Sequence, residues 1–218
     1  FPYLLTTNAP AELIAAIECA NANGASSDII DLNGQTVTLA VSYANYSGNT
    51  GLPEVTTPVT LLNGTITRSG TAFRLLRVNA TGTLTLADMT LSNGSMPVNA
   101  GGAIYSSGVL YVTASTFANN SADNAGAIYI DGAGSTTSNI VNSTFSANVA
   151  TNGAGADALY IFGTNWVNVY FSTFSGHDNS DTSSTTGVLH AGTNSTIELT
   201  GSVIANNPLS VGGTAREC

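Results

Sequence analysis

Lysine is absent from this 218-residue chain, and Arg68, Arg74, Arg77 and Arg216 are its only cations. Thirteen acidic residues leave a net charge of −9. A nucleic-acid partner needs a basic footprint, and none is present. Charged residues make up 8% of the chain, far below the usual quarter, yet 43% are hydrophobic. So little charge with so much apolar content argues against disorder. Long hydrophobic runs are missing too: nothing approaches 18 consecutive apolar residues, so no membrane-spanning helix is expected. The first residue is Phe1 rather than Met, which fits a processed secreted protein or a piece of a longer one. Lysine-free segments rich in Asn, Thr and Ser point to an extracellular or cell-surface location.

What the chain does have is a repeat. An aliphatic residue followed five positions later by a large apolar anchor recurs through the sequence, with anchors at Ile66, Leu91, Phe117, Phe145, Phe174 and Ile204. The spacings are 25, 26, 28, 29 and 30 residues, and Leu39 fits as a looser, earlier member. Five before the anchors stand Leu61, Leu86, Val112, Ile140, Val169 and Leu199. Immediately before them stand Thr65, Thr90, Thr116, Thr144 and Thr173, then Val203. Self-similarity of this length is the mark of a solenoid. The same columns recur in the same direction, so the strands stack in parallel. At roughly 4.8 Å per layer, seven to eight coils make a rod on the order of 35–40 Å long.

Stacking predicts a core ladder of Ile66, Leu91, Phe117, Phe145, Phe174 and Ile204. It also predicts a corner ladder of Asn120, Asn148, His177 and Asn207, three residues after successive anchors. A later strand in each coil reads Ala103-Ile104-Tyr105, Ala127-Ile128-Tyr129, Ala158-Leu159-Tyr160 and Val188-Leu189-His190, with glycines nearby to supply the angles of sharp bends. Ahead of the coils, Pro10 opens the only helix, over residues 9–22, with Leu13, Ile17 and Ala20 on one face and Ala15 and Cys19 on the other. Residues 1–28 thus form an N-terminal strand and capping helix, and 29–218 the solenoid, one domain overall. Residues 43–57 lack a period and read as a loop thrown outward.

The runs Gly101-Gly102-Ala103-Ile104-Tyr105, Ser115-Thr116-Phe117-Ala118-Asn119-Asn120-Ser121-Ala122 and Asn142-Ser143-Thr144-Phe145-Ser146 resemble the repeat of surface and secreted proteins of the polymorphic outer-membrane protein type. The opening, with Ala11-Glu12-Leu13-Ile14 and Asp31-Leu32-Asn33-Gly34, resembles related secreted β-helix proteins in which a helix caps the first coil. The resemblance covers most of the chain and implies a right-handed parallel β-helix of the pectate-lyase-like superfamily. It implies no single function, because adhesins, passenger domains and polysaccharide enzymes share that fold.

Catalysis has little to stand on. β-helix lyases and hydrolases need a cationic base or clustered carboxylates facing one groove. Here Asp88, Asp123, Asp131, Asp157, Asp178, Asp181 and Glu198 fall in different columns. The best constellation, His177 with Asp178 and Asp181, reads more simply as a solvated loop beside a corner histidine, and His190 as a half-buried substitute for tyrosine. No enzyme is expected. No cofactor is expected either, apart from a structural calcium that Asp28 with Asp31, or Asp178 with Asp181, could ligate. Threonine pairs such as Thr36/Thr38, Thr65/Thr67 and Thr83/Thr85 invite an ice-binding reading, but as pairs they do not persist into later coils, so no flat array is expected. Sequons at Asn45, Asn63, Asn79, Asn93, Asn119, Asn142 and Asn194 are candidate glycosylation sites, no more numerous than composition alone yields.

A solenoid needs its end coils covered, and no capping pattern follows Val203. Either the chain is a fragment or the next copy docks there. The expectation is head-to-tail assembly into extracellular filaments, with Cys218 of one subunit bridging Cys19 of the next or the apolar segment 1–5 reaching across the joint. Two unpaired or separately paired cysteines are the simpler reading, and a surface glycan or cell-surface molecule is a further partner. The alternative is a carbohydrate-binding or polysaccharide-degrading domain.

Overall fold

The structure is a computed structural model and describes residues 2–24, 27–132, 136–151, 155–177 and 187–207. These residues form a parallel β-solenoid of about seven turns with one helix among them. The helix, Pro10–Ala22, packs Leu13, Ala16, Ile17 and Ala20 against the first coil and leaves Ala15 and Cys19 exposed. Its start lacks a capping side chain at Ala9. Glu12 in the first turn instead ties the preceding segment to the helix, accepting the backbone N–H groups of Thr6 and Thr7, each at 2.8 Å, and both hydroxyls. These bonds, that of Thr6 N–H foremost, hold its carboxyl at about 2.

Two uninterrupted strands, Pro58–Arg68 and Thr83–Ser92, pair in parallel along nearly their whole length. On either side of them the sheet forks. Toward the C-terminus one arm continues as Val109–Thr113, Thr137–Val141, Trp166–Tyr170 and Thr196–Thr200. The other continues as Thr116–Ala118, Thr144–Ser146, Thr173–Ser175 and Val203–Ala205. Where the arms part, each coil turns through one residue in the left-handed region: Asn63, Asp88, Ala114, Asn142, Phe171 and Gly201, with φ between 50° and 61°. The other two walls are a five-stranded sheet from Leu76–Val78 to Leu189–Ala191 and a three-stranded sheet of Ser95–Ala100, Ser121–Asn124 and Val149–Ala150.

The core ladder is in register. Ile66 pairs with Leu91, Leu91 with Phe117, Phe117 with Phe145, Phe145 with Phe174, and Phe174 with Ile204. The first five of these side chains are fully buried. The first coil corrects the sequence reading: Ile66 pairs with Val37, and Leu39 lies opposite Arg68. The turn at Asn33-Gly34 adds two residues between the strands of that coil, which displaces the pattern by two.

Two other expectations need revision. Residues 43–57 are only half a loop. Ala44–Asn45 and Asn49–Thr50 form a projecting hairpin, but Thr50, Leu52 and Val55 are buried, and Thr50 and Val55 bridge to Arg74 and Val78 as part of the wall. Of the glycines before the later strands, Gly101 takes the left-handed φ of 70° expected of a bend, whereas Gly102 and Gly126 serve space. Gly102 and Gly126 do not have positive φ, but a Cβ on Gly102 would stand 2.4 Å from the Gly126 carbonyl oxygen, and one on Gly126 2.4 Å from Val149 N.

Candidate functional site

Three surfaces carry chemistry: the corner ladders, the outer face of the five-stranded sheet, and the two ends. At the first corner the amide ladder forms as expected. Asn120 N–H donates to Asn148 Oδ1 at 3.0 Å, Asn148 N–H to His177 Nδ1 at 3.2 Å, and His177 N–H to Asn207 Oδ1 at 3.0 Å. Asn120, Asn148 and Asn207 each donate Nδ2–H to the carbonyl of an anchor one coil back: Leu91, Phe117 and Phe174. Each rung thereby satisfies buried backbone that the turn leaves unpaired. His177 is fully buried, and burial lowers its pKa against the opposing pull of the Asn148 and Phe145 carbonyls. This histidine is a rung of the ladder. Asp178 and Asp181, its proposed companions, lie outside the described residues.

A second ladder is not among the sequence expectations. Two residues before the anchors, Ser115, Ser143, Ser172 and Ser202 each accept the N–H of the equivalent residue one coil back, at 3.1–3.2 Å, starting from Met89. Each serine in turn donates to a carbonyl two residues earlier in its own coil. Its signal in the sequence is serine at one fixed offset in four successive coils.

On the outer face of the five-stranded sheet, Arg77, Tyr105, Tyr129, Tyr160 and His190 form one column. The aromatic rings follow one another at centroid distances of 5.2, 5.2 and 4.5 Å. Rings stacked this way present edges to solvent rather than the open faces on which a sugar stacks. Tyr105 donates to Asp131 Oδ2 at 2.8 Å; burial first, and this bond second, push its hydroxyl up to about 12.

The column begins at an arginine pair. The guanidinium carbons of Arg74 and Arg77 lie 4.8 and 4.7 Å from the Tyr105 ring centroid. Arg77 bonds Glu54 at 2.6 Å and the Tyr46 carbonyl at 3.1 Å. Arg74 is fully buried beneath the hairpin turn, donates Nη2–H to the Ser47 carbonyl at 3.3 Å, and has no partner for Nε or Nη1 among the described residues. Burial, then the neighbouring charge of Arg77, brings it down to about 10.

The remaining candidates are dispersed. Asp28 and Asp31, three apart on one strand, point to opposite faces, and each binds an asparagine amide: Asn23 for Asp28, Asn63 for Asp31. No group of three or more His, Cys, Asp or Glu residues gathers as a metal site among the described residues. Of the sequons, Asn63, Asn93, Asn119, Asn142 and Asn194 adopt left-handed backbone, φ 50–64°, so asparagine suits the turn itself. Asn45 accepts the Gly48 N–H within the hairpin, and Asn79 donates to Glu54.

At the N-terminal end, a groove of about 180 Å³ is lined by residues that include Tyr3, Ala15, Cys19, Asp28 and Ile29. Cys19 is exposed and has no disulfide partner among the described residues; Cys218 lies outside them. The chain matches no protein-family model, no curated protein and no solved structure. No described helix is long and apolar enough to cross a membrane.

Proposed function

We propose that the protein is an extracellular, non-catalytic structural or adhesive scaffold whose rods join end to end into filaments. The observation that carries this reading is the complementarity of the two ends. Among the described residues, Tyr3–Leu4 pairs on one side only, with Asp28–Asp31, and Tyr3, Leu4 and Ile29 are 47%, 49% and 41% exposed. At the other end, again among the described residues, Thr196–Thr200 and Val203–Ala205 pair on one side only, and Leu199 and Val203 are 43% and 50% exposed. All of these strands run parallel, so the last coil of one rod can add to the Tyr3–Leu4 edge of another, beside the helix that packs on its first coil. Unpaired edges with apolar side chains invite strand addition, and contact between two different surfaces propagates. A disulfide from Cys218 of one subunit to Cys19 of the next would lock such a joint. The low-charge composition and the likeness to surface-protein repeats of the polymorphic outer-membrane type support the extracellular placement, where glycans or cell-surface molecules are the further partners.

The test uses two single-end variants, Ile29→Arg and Leu199→Arg. Wild-type protein should form fibres in negative-stain images, each variant alone should stay monomeric, and their equimolar mixture should stop at dimers, since one sound end remains on each. Wild-type protein that remains monomeric at high concentration would sink the reading. Non-reducing electrophoresis then decides the bridge, which predicts a ladder of linked chains.

A further inference from the structure

The short-strand arm of the sheet has an outer face that departs from the sequence expectation. Thr36, Thr65, Thr90, Thr116, Thr144 and Thr173 are paired one to the next through six coils. Beside them runs a second column in the same register: Thr38, Thr67, Ser92, Ala118, Ser146 and Ser175. Grouping Thr83 and Thr85 with these residues hides the columns in the sequence. Those two belong to the other arm, opposite Val109 and Tyr111.

The face lies directly over the phenylalanine stack. Phe117, Phe145 and Phe174 are the middle residues of the strands that carry these hydroxyls, pointing inward. Their rings stack at 4.7 and 4.6 Å with interplanar angles of 5° and 12°. Neighbouring strands in an ordinary sheet rotate by roughly 20–25°, and flat sheets are those held by stacking. Rings that stack this nearly parallel favour little rotation between the three strands that carry them.

The result is a two-column grid, roughly 4.8 Å between coils and about 7 Å between columns along a strand. No charged or aromatic side chain stands in either column. None of the six hydroxyls of the first column bonds to a described residue, whereas in the second Ser92 donates to Thr67 at 3.0 Å. Each free hydroxyl can donate and accept, and each threonine adds a methyl group beside it.

We propose that this face binds the surface of ice. A regular grid of hydroxyls and methyls fixes first-layer water at repeating intervals, which matches a solid whose own surface is a repeating array of donors and acceptors. A charged polymer finds no counter-charge here, and a sugar finds no aromatic platform. Rigidity matters as much as composition, because a grid already ordered by the Phe stack loses little freedom on binding.

Ice-affinity partition and inhibition of ice recrystallisation test this on the whole chain. Wild-type protein should enter growing ice and hold crystals small. Thr116→Tyr and, separately, Thr65→Tyr place a bulky ring on the grid and should reduce both effects to those of a non-binding control, with circular dichroism melts unchanged. Thr85→Tyr, on the other arm, should behave as wild type. Rejection of wild-type protein by ice, or undiminished partition of both grid variants, overturns the proposal. So does adsorption to crystalline chitin or cellulose that Thr116→Tyr abolishes while ice is ignored, which would assign the grid to a solid glycan.

Discussion

His177 occupies an asparagine's place above Asn148: its Nδ1 takes the Asn148 N–H at 3.2 Å, the position filled one coil earlier by Asn148 Oδ1 over Asn120. An imidazole accepts that N–H only while Nδ1 has a lone pair to offer; once protonated, Nδ1 turns donor to the Asn148 carbonyl, 3.1 Å away, and the Asn148 N–H loses its acceptor. Burial lowers the His177 pKa below the ordinary 6.5. The unfolded chain therefore binds the proton more readily than the folded one. Stability is complete above about pH 6.5 and declines as pH falls below it, by at most about 1.4 kcal/mol per unit from this group. His177→Asn should remove that decline and restore an amide rung, seen as a smaller loss of urea midpoint between pH 7 and pH 5 than wild type shows.

Phe145 lies between two rings and should be the costliest single truncation. Phe145→Ala removes both stacking contacts and opens a void that the layers above and below cannot close, for a loss of about 3–5 kcal/mol in denaturant unfolding. A loss below about 1 kcal/mol would mean that the stack does not hold the core.

Arg74 and Arg77 should respond in opposite directions. Arg77→Met leaves the largely buried Glu54 carboxylate without its cation, with the Asn79 amide still bound, and should cost about 3 kcal/mol. Arg74→Met replaces a buried cation with two unpartnered nitrogens by an apolar chain of similar length, and should leave stability unchanged or raise it by about 1–2 kcal/mol. Thermal melts of the two variants side by side decide this. Strong destabilisation by Arg74→Met would show that its contact with Tyr105 outweighs its desolvation.

Ser143→Ala removes the acceptor of the buried Ser115 N–H. The expected cost is about 1–3 kcal/mol. Faster amide exchange should appear at Ser115, while Asn120, on the separate amide ladder, keeps its protection.

Layer repetition is legible in the sequence because inward columns tolerate few residue types, so Phe117, Phe145 and Phe174 announce one another. The amide ladder is legible for the same reason. The first threonine column is legible from Thr65 to Thr173, but the serine ladder and the second column of the grid emerge only once register is known, because small hydroxyl residues are so common in this chain. Val37 is hidden by the two residues that the Asn33-Gly34 turn inserts. The wall at Thr50–Val55 is hidden because it is held by isolated bridges and packing rather than by a strand with a period. Arg74 carries no signal at all: only tertiary structure shows which of several arginines is covered.

The two unbroken strands, Pro58–Arg68 and Thr83–Ser92, give the molecule an uneven mechanical character. Each later coil divides its hydrogen bonds between two short strands that can detach separately, while this pair runs across the corner as a single zipper. Under tension applied at its ends, the rod should peel winding by winding from the C-terminal side and stop at this clasp, so that single-molecule pulling records a series of small releases followed by one large one.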